Sequence, residues 1–185
     1  MKRMTLTGWQ RIWVRIVTTV IMLTVMAMIF AFSTENAEQS DQRSGIISIE
    51  ILKVFHPDYN LLDPLKRKEI YDTIQHVVRK SAHFLEYTLL GFMIRLCLES
   101  WFGHRTKASR PLEAAGACAG TVYACTDELH QLLIDGRSGQ WTDVIVDGCG
   151  VFLGIKLGTL FIIKLGQCHI MKKEQGDGNG LFQKQ

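Results

Sequence analysis

The chain has 185 residues, room for one compact domain and hardly for two. A formal charge of +3, with no basic run interleaved with aromatics, excludes a nucleic-acid partner. Cysteines at 97, 118, 125, 149 and 168 form no CxxC pair and mostly lie in apolar runs, so they read as packing residues or free thiols, not as a disulfide framework or zinc site.

The first apolar run covers residues 12–32 and is broken only by Arg15 and some threonines. From Ile16 onward it is uncharged and long enough to cross a hydrocarbon core of roughly 30 Å as a helix. Lys2, Arg3 and Arg11 resemble the charged start of a signal peptide. The run exceeds a usual signal core, however, and Ile29, Phe30, Ala31 and Phe32 give no small-x-small cleavage site, so a retained helix is expected. Residues 33–80 are polar and open with STENAEQSDQRSG. Two short helices are expected there, at 46–55 and 65–80, separated by HPDYNLLDP. In the second, Ile70, Ile74, Val77 and Val78 recur at helical spacing, as on a helix lying on a membrane surface. His56 and His76 read as solvated loop residues.

Three further apolar runs follow, at 82–98, 112–134 and 144–165. The third run of the chain carries Gly116, Gly120 and Ala124, and the fourth carries Gly150, Gly154 and Gly158. Small residues at every fourth position let helix backbones approach closely in lipid, where packing replaces the hydrophobic drive. The expected fold is therefore all-α, an integral membrane bundle of four transmembrane helices whose extracytoplasmic first loop contains short amphipathic helices. The membrane domain spans 12–165, between a cytoplasmic N-terminus at 1–11 and a polar, disordered cytoplasmic tail at 166–185. Basic residues dominate the N-terminus, the loop with Arg105, Lys107 and Arg110, and the tail, which puts both termini in the cytoplasm. Arg15, Arg95 and Lys156 fall near cytoplasmic helix ends and read as snorkelling topology anchors.

At about 1.5 Å of rise per residue, all four helices bring polar groups to one level near the external surface. The candidate polar pocket comprises Lys80, His83, Glu86, Tyr87, Asp127, Glu128, Gln131, Arg137, Asp143 and Asp147. Carboxylates at such a level cost roughly a few kcal/mol each unless paired or hydrated. A purely structural alternative has Lys80 and Arg137 stapling the helices by pairing with those acids. Chemically, His83 near carboxylates suits a general acid or base. Asp127 with His130, and Asp143 with Asp147, have helical spacings that suit a divalent metal, the one cofactor class the residues raise. Ser33 and Ser81 have no nucleophile elbow around them. Asp127→Ala is expected to impair folding or activity more than Arg95→Ala.

RKSAHFLEYTLLG at 79–91 and TDELHQLLIDGRSGQWTDVIVDGCGVFLG at 126–154 resemble the VanZ-like family of bacterial membrane proteins. AFSTENAEQSDQRSG after the first apolar run is similar to the serine-rich stretch found there in such proteins from Gram-positive bacteria. The resemblance covers residues 30–158 and implies a small multi-span protein of the cell membrane. The family's founding member is associated with resistance to the glycopeptide teicoplanin. The family pattern falls on Lys80, His83, Tyr87, Asp127, Glu128, Gln131, Arg137, Asp143, Gly150 and Gly154, and departs at Asp147, where asparagine is expected more often. The resemblance implies lipid and an envelope precursor or glycopeptide as partners. It leaves two classes open, a protein that binds or alters access to an envelope component, and an enzyme acting on an envelope lipid, glycan or peptide head group. An ion or solute pathway fits less well, because the third and fourth runs lose their charges toward the cytoplasm.

Overall fold

The computed structural model describes residues 7–103, 110–134 and 140–181, with side chains to residue 167 apart from that of residue 37. The described residues are helical, with no strand. Helix α1, Gly8–Ser33, opens on a capping box in which Thr7 and Gln10 exchange backbone and side-chain hydrogen bonds. Helix α2, Ala37–Phe55, opens the same way at Asn36 and Gln39, so it begins nine residues ahead of the expected 46–55 helix. It stops where Pro57 forces the preceding His56 out of helical geometry.

After a 3₁₀ turn at Tyr59–Leu61, helix α3 runs over Pro64–Phe102. Asp63 caps it by accepting from the Leu65 amide at 3.1 Å, and Pro64 stands where its missing N–H costs nothing. The expected helix at 65–80 and the apolar run at 82–98 are thus one helix. No proline or glycine lies between them, and 39 residues give it about 58 Å of length. Residues 65–80 therefore project along the axis of the apolar run, with Val77 exposed and Gln75 buried against α2. Gln75 donates to the Asp41 carbonyl at 3.0 Å and to Ser44 Oγ at 3.3 Å, and Tyr71 fills the space over Gly45. The hydroxyl-rich segment is thus a helix docked on α3.

Helix α4 covers Arg110–Gln131 and α5 covers Trp141–Leu181. The latter continues beyond 165 into the segment expected to be a disordered tail, since each further residue adds one backbone bond once a helix is running.

Helix α3 touches each of the other four helices and packs most extensively on α5. The two run parallel and close enough that a side chain at Gly91 would strike the Val151 backbone, and one at Gly154 would strike the Thr88 carbonyl and the Phe92 amide. The α5 glycine stripe therefore serves α3, with Gly150 against Phe84 and Tyr87 and Gly158 against Arg95. Gly116 and Gly120 of α4 admit Ile155 and Val151 of α5 instead. The buried core between these seams includes Ile29, Tyr87, Leu90, Ile94, Ala124, Val151 and Ile155. Cys97, Cys118, Cys125 and Cys149 are free thiols.

Two helical stretches are long and apolar enough to cross a membrane, Gly8–Ser33 and Trp141–Gln167. Only 17 % and 33 % of their apolar windows is buried, too little for core helices of a soluble protein. Their outward faces expose Val20, Leu23, Phe152, Leu157 and Phe161, as a lipid-facing surface requires. The four-helix crossing predicted above is not given by length and composition alone, because α3 and α4 fail that test.

Candidate functional site

The stretch from Tyr123 to Gln131 turns its polar residues inward at three-to-four spacing. Asp127, Glu128 and Gln131 are all buried, as is Asp147 on the facing side of α5 at 1 % exposure. Tyr87 of α3 completes the cluster at 0 % exposure, packed against Gly150 and with Asp127 and Asp147 acting on its hydroxyl. The absence of a side chain at Gly150 is what lets α3 bring this ring to the level of the acids.

Some of these groups are satisfied. Gln131 Nε2 donates to Asp127 Oδ2 at 3.3 Å, the backbone amide of Gln140 donates to Glu128 Oε2 at 3.0 Å, and Lys80 pairs with Asp143 at the rim. Others are not. Among the described residues, the Tyr87 hydroxyl has Asp127 as its neighbouring acceptor, while both carboxylate oxygens of Asp147 have no hydrogen-bond partner. Ser33 Oγ, buried at the matching end of α1, has none either. A buried acceptor without a donor forfeits about 1–3 kcal/mol, more for a charged group. The charge around Asp147 is also unbalanced, with Glu128, Asp127 and Glu86 on one side and Lys80, already paired to Asp143, on the other. Burial pushes the Lys80 ammonium below its ordinary pKa, an effect opposed by Glu128 and Asp147. The site is therefore a desolvated acidic cluster with unused acceptors on Asp147.

The structure divides the residues grouped from sequence. Tyr87, Asp127, Glu128, Gln131 and Asp147 come together, with Lys80 and Asp143 above them. His83 and Glu86 line a cleft among the end of α1, α2 and α3, from which Glu86 still acts on Asp147. His130 stacks on Phe30 of α1 with ring centroids 4.8 Å apart, which ties its ring to helix packing. Accordingly, among the described residues no three His, Cys, Asp or Glu side chains form a group able to hold a metal ion, and the set Asp127, His130, Asp143 and Asp147 is not assembled as one. Arg137 lies outside the described residues.

A second polar cluster, at the other end of the same seam, corrects the reading of Arg95 as a snorkelling anchor. Its side chain is 2 % exposed; Nε donates to Thr159 Oγ1 at 3.0 Å and NH1 pairs with Glu99 at 3.0 Å. Glu113 of α4 accepts from Thr159 at 3.0 Å and from Lys156 at 2.6 Å, so three helices share one network. Arg15 is likewise engaged, donating to the Ser100 carbonyl at 3.1 Å and lying over Trp101. Glu113 went unread in the sequence because it stands at the edge of an apolar run, where a charged residue looks like a boundary. Its helical register with Lys156 and Thr159 appears only once α4 and α5 are packed antiparallel.

A family profile described as VanZ/LLP1 matches residues 18–163. Comparison with curated proteins and with solved structures finds no match.

Proposed function

The chain belongs to the VanZ/LLP1 family, and on that premise we propose a multi-pass membrane protein whose acidic pocket faces the outside of the cell. There it binds, or alters access to, a cell-envelope component, in a process linked to teicoplanin resistance. The observation that carries this reading is the buried Asp147 carboxyl, whose two oxygens have no hydrogen-bond partner among the described residues. Evolution of a structural staple would pair such groups, because an unmatched buried charge destabilises the fold with no return.

The proposal of four crossings is supported by how α3 and α4 are built. Their inward faces carry Tyr87, Arg95, Asp127 and Glu128, which lowers their average apolarity, while Leu85, Leu89, Val122 and Leu129 point outward. The basic residues at the N-terminus and between α3 and α4 favour cytoplasmic termini. A cysteine placed at Gln140 is then labelled from outside intact cells, and a protected site would reverse the orientation.

Binding is tested with labelled lipid-linked cell-wall precursors and with labelled teicoplanin on purified protein. Saturable binding that Asp147→Asn abolishes supports the reading; undiminished binding sinks it. Two buried carboxylates flanking a tyrosine hydroxyl also suit acid–base catalysis on an envelope head group. Conversion of a precursor to a new product, lost in Asp127→Asn, would favour that enzyme over a binder.

A further inference from the structure

The cleft that His83 and Glu86 line beside the acidic cluster has its own chemistry. It encloses about 460 Å³, including its open mouth, between Phe32 at the end of α1, Ser40–Ile47 of α2 and Val78–Glu86 of α3. Its apolar lining is Phe32, Ile47, Val78 and Ala82; its cations are Arg43 and Arg79. Both guanidiniums are held in place. Arg43 pairs with Glu35 and lies over the Phe32 ring at 4.2 Å, and Arg79 pairs with Asp41. A guanidinium has five donors, and Arg79 Nε is buried without a partner. Each arginine thus keeps donors in reserve after its pairing. The cleft stands where α1 ends and the apolar part of α3 begins, which is the level of lipid head groups if these helices cross the bilayer.

We infer that this cleft binds the phosphodiester head group of a membrane lipid, with the phosphate on Arg43 and Arg79 and the first acyl carbons on Phe32, Ile47, Val78 and Ala82. Fork-shaped guanidiniums match phosphate oxygens, and an apolar floor continuous with the bilayer matches the chains. The cleft's charge sets the class of phosphate. Glu35 and Glu86 also line it and Asp41 pairs with Arg79, so there is no net positive charge; the spare, directed guanidinium donors hold a singly charged phosphodiester, whereas a pyrophosphate would add a second charge beside those carboxylates. Head-group hydroxyls have Glu35 and Ser40 within the same lining. The inference rests on the membrane reading proposed above, but not on the acidic pocket's ligand.

The test uses the full-length protein in nanodiscs of phosphatidylglycerol and phosphatidylcholine, followed by native mass spectrometry of retained lipid. Wild type is expected to retain phosphatidylglycerol. The double variant Arg43→Gln, Arg79→Gln is expected to retain at least tenfold less. Val78→Trp, which fills the cleft and keeps both arginines, should lose it as well, while Lys53→Gln at the exposed end of α2 should not. Unfolding midpoints of the variants, and the Arg43→Lys, Arg79→Lys pair, separate lost binding from lost folding. Equal retention by wild type and the glutamine variant overturns the site. Displacement by glycerol 1-phosphate at the same concentration as the lipid would overturn the lipid assignment in favour of a free phosphate. A bimane on Ile47→Cys, read against a head-group quencher, tells the two failures apart. Quenching without arginine dependence sinks this cleft alone, and no quenching sinks the membrane reading beneath it.

Discussion

Arg95 and Asp147 sit on neighbouring helices along one seam, and both are all but removed from solvent, at 2 % and 1 % exposure. Around Arg95 the donors and acceptors meet: Thr159, Glu99, Glu113 and Lys156 form a connected set across α3, α4 and α5. Around Asp147 they do not, and among the described residues that act on it carboxylates outnumber cations. Between the two clusters the backbones of α3 and α5 touch at Gly91 and Gly154, so both ends belong to one rigid contact. The difference separates a buried polar group matched within the protein from one that is not. Burial alone does not make that distinction; partnership does.

The largest expected effect lies at the paired end. Arg95→Ala leaves Glu99 and Thr159 without their partner and is expected to destabilise the fold by about 3–5 kcal/mol, measured as reversible unfolding in detergent. For folding, this prediction runs opposite to the expectation that Asp127→Ala impairs folding or activity more than Arg95→Ala. A loss under roughly 1 kcal/mol would mean that the network is solvated after all.

Next is the seam that joins the two ends. Gly154→Ala drives a methyl into the Thr88 and Phe92 backbone and should cost about 1–3 kcal/mol. Gly148→Ala meets only Thr121 Oγ1, at 3.7 Å, and should be neutral or slightly stabilising by helix propensity. Equal midpoints for the two variants would remove the close approach from the account.

At the unpaired end, stability and function should part. Asp147→Asn relieves an unmatched charge, so its unfolding midpoint should hold or rise. Its affinity for the envelope ligand should fall at least about tenfold, some 1.4 kcal/mol. Parallel losses of both would make Asp147 one more structural residue. The smallest effect is expected at the rim, where Lys80 and Asp143 are each about a quarter exposed. Asp143→Asn should cost no more than about 1 kcal/mol, with most of that loss gone in high salt. A larger, salt-insensitive loss would extend the buried cluster outward to the pair.

Helix type and order could be read from the chain, since apolar periodicity and glycine spacing are local properties. So could the identity of the acidic stretch, because carboxylates between apolar runs stand out wherever they point. Element ends were harder. The capping box at Asn36 sits inside a stretch whose polar composition hides it, and no breaker marks the passage from 80 to 82. Partners were harder still. His83 and Glu86 share a helix with Tyr87, yet their angles around α3, with about 100° between successive residues, place them along a neighbouring cleft.

By itself, then, the sequence determined an all-α chain with four apolar runs, a stripe of small residues on each of the last two, and an acidic region between them. These depend on which residues stand three or four apart, and a helix converts that spacing directly into faces. Only the tertiary structure decided which charges are neutralised. Arg95 finds Thr159 sixty-four positions away, whereas Asp147 finds no donor among the described residues. Pairing depends on the rotation and approach of separate helices, and the Gly91–Gly154 contact sets both.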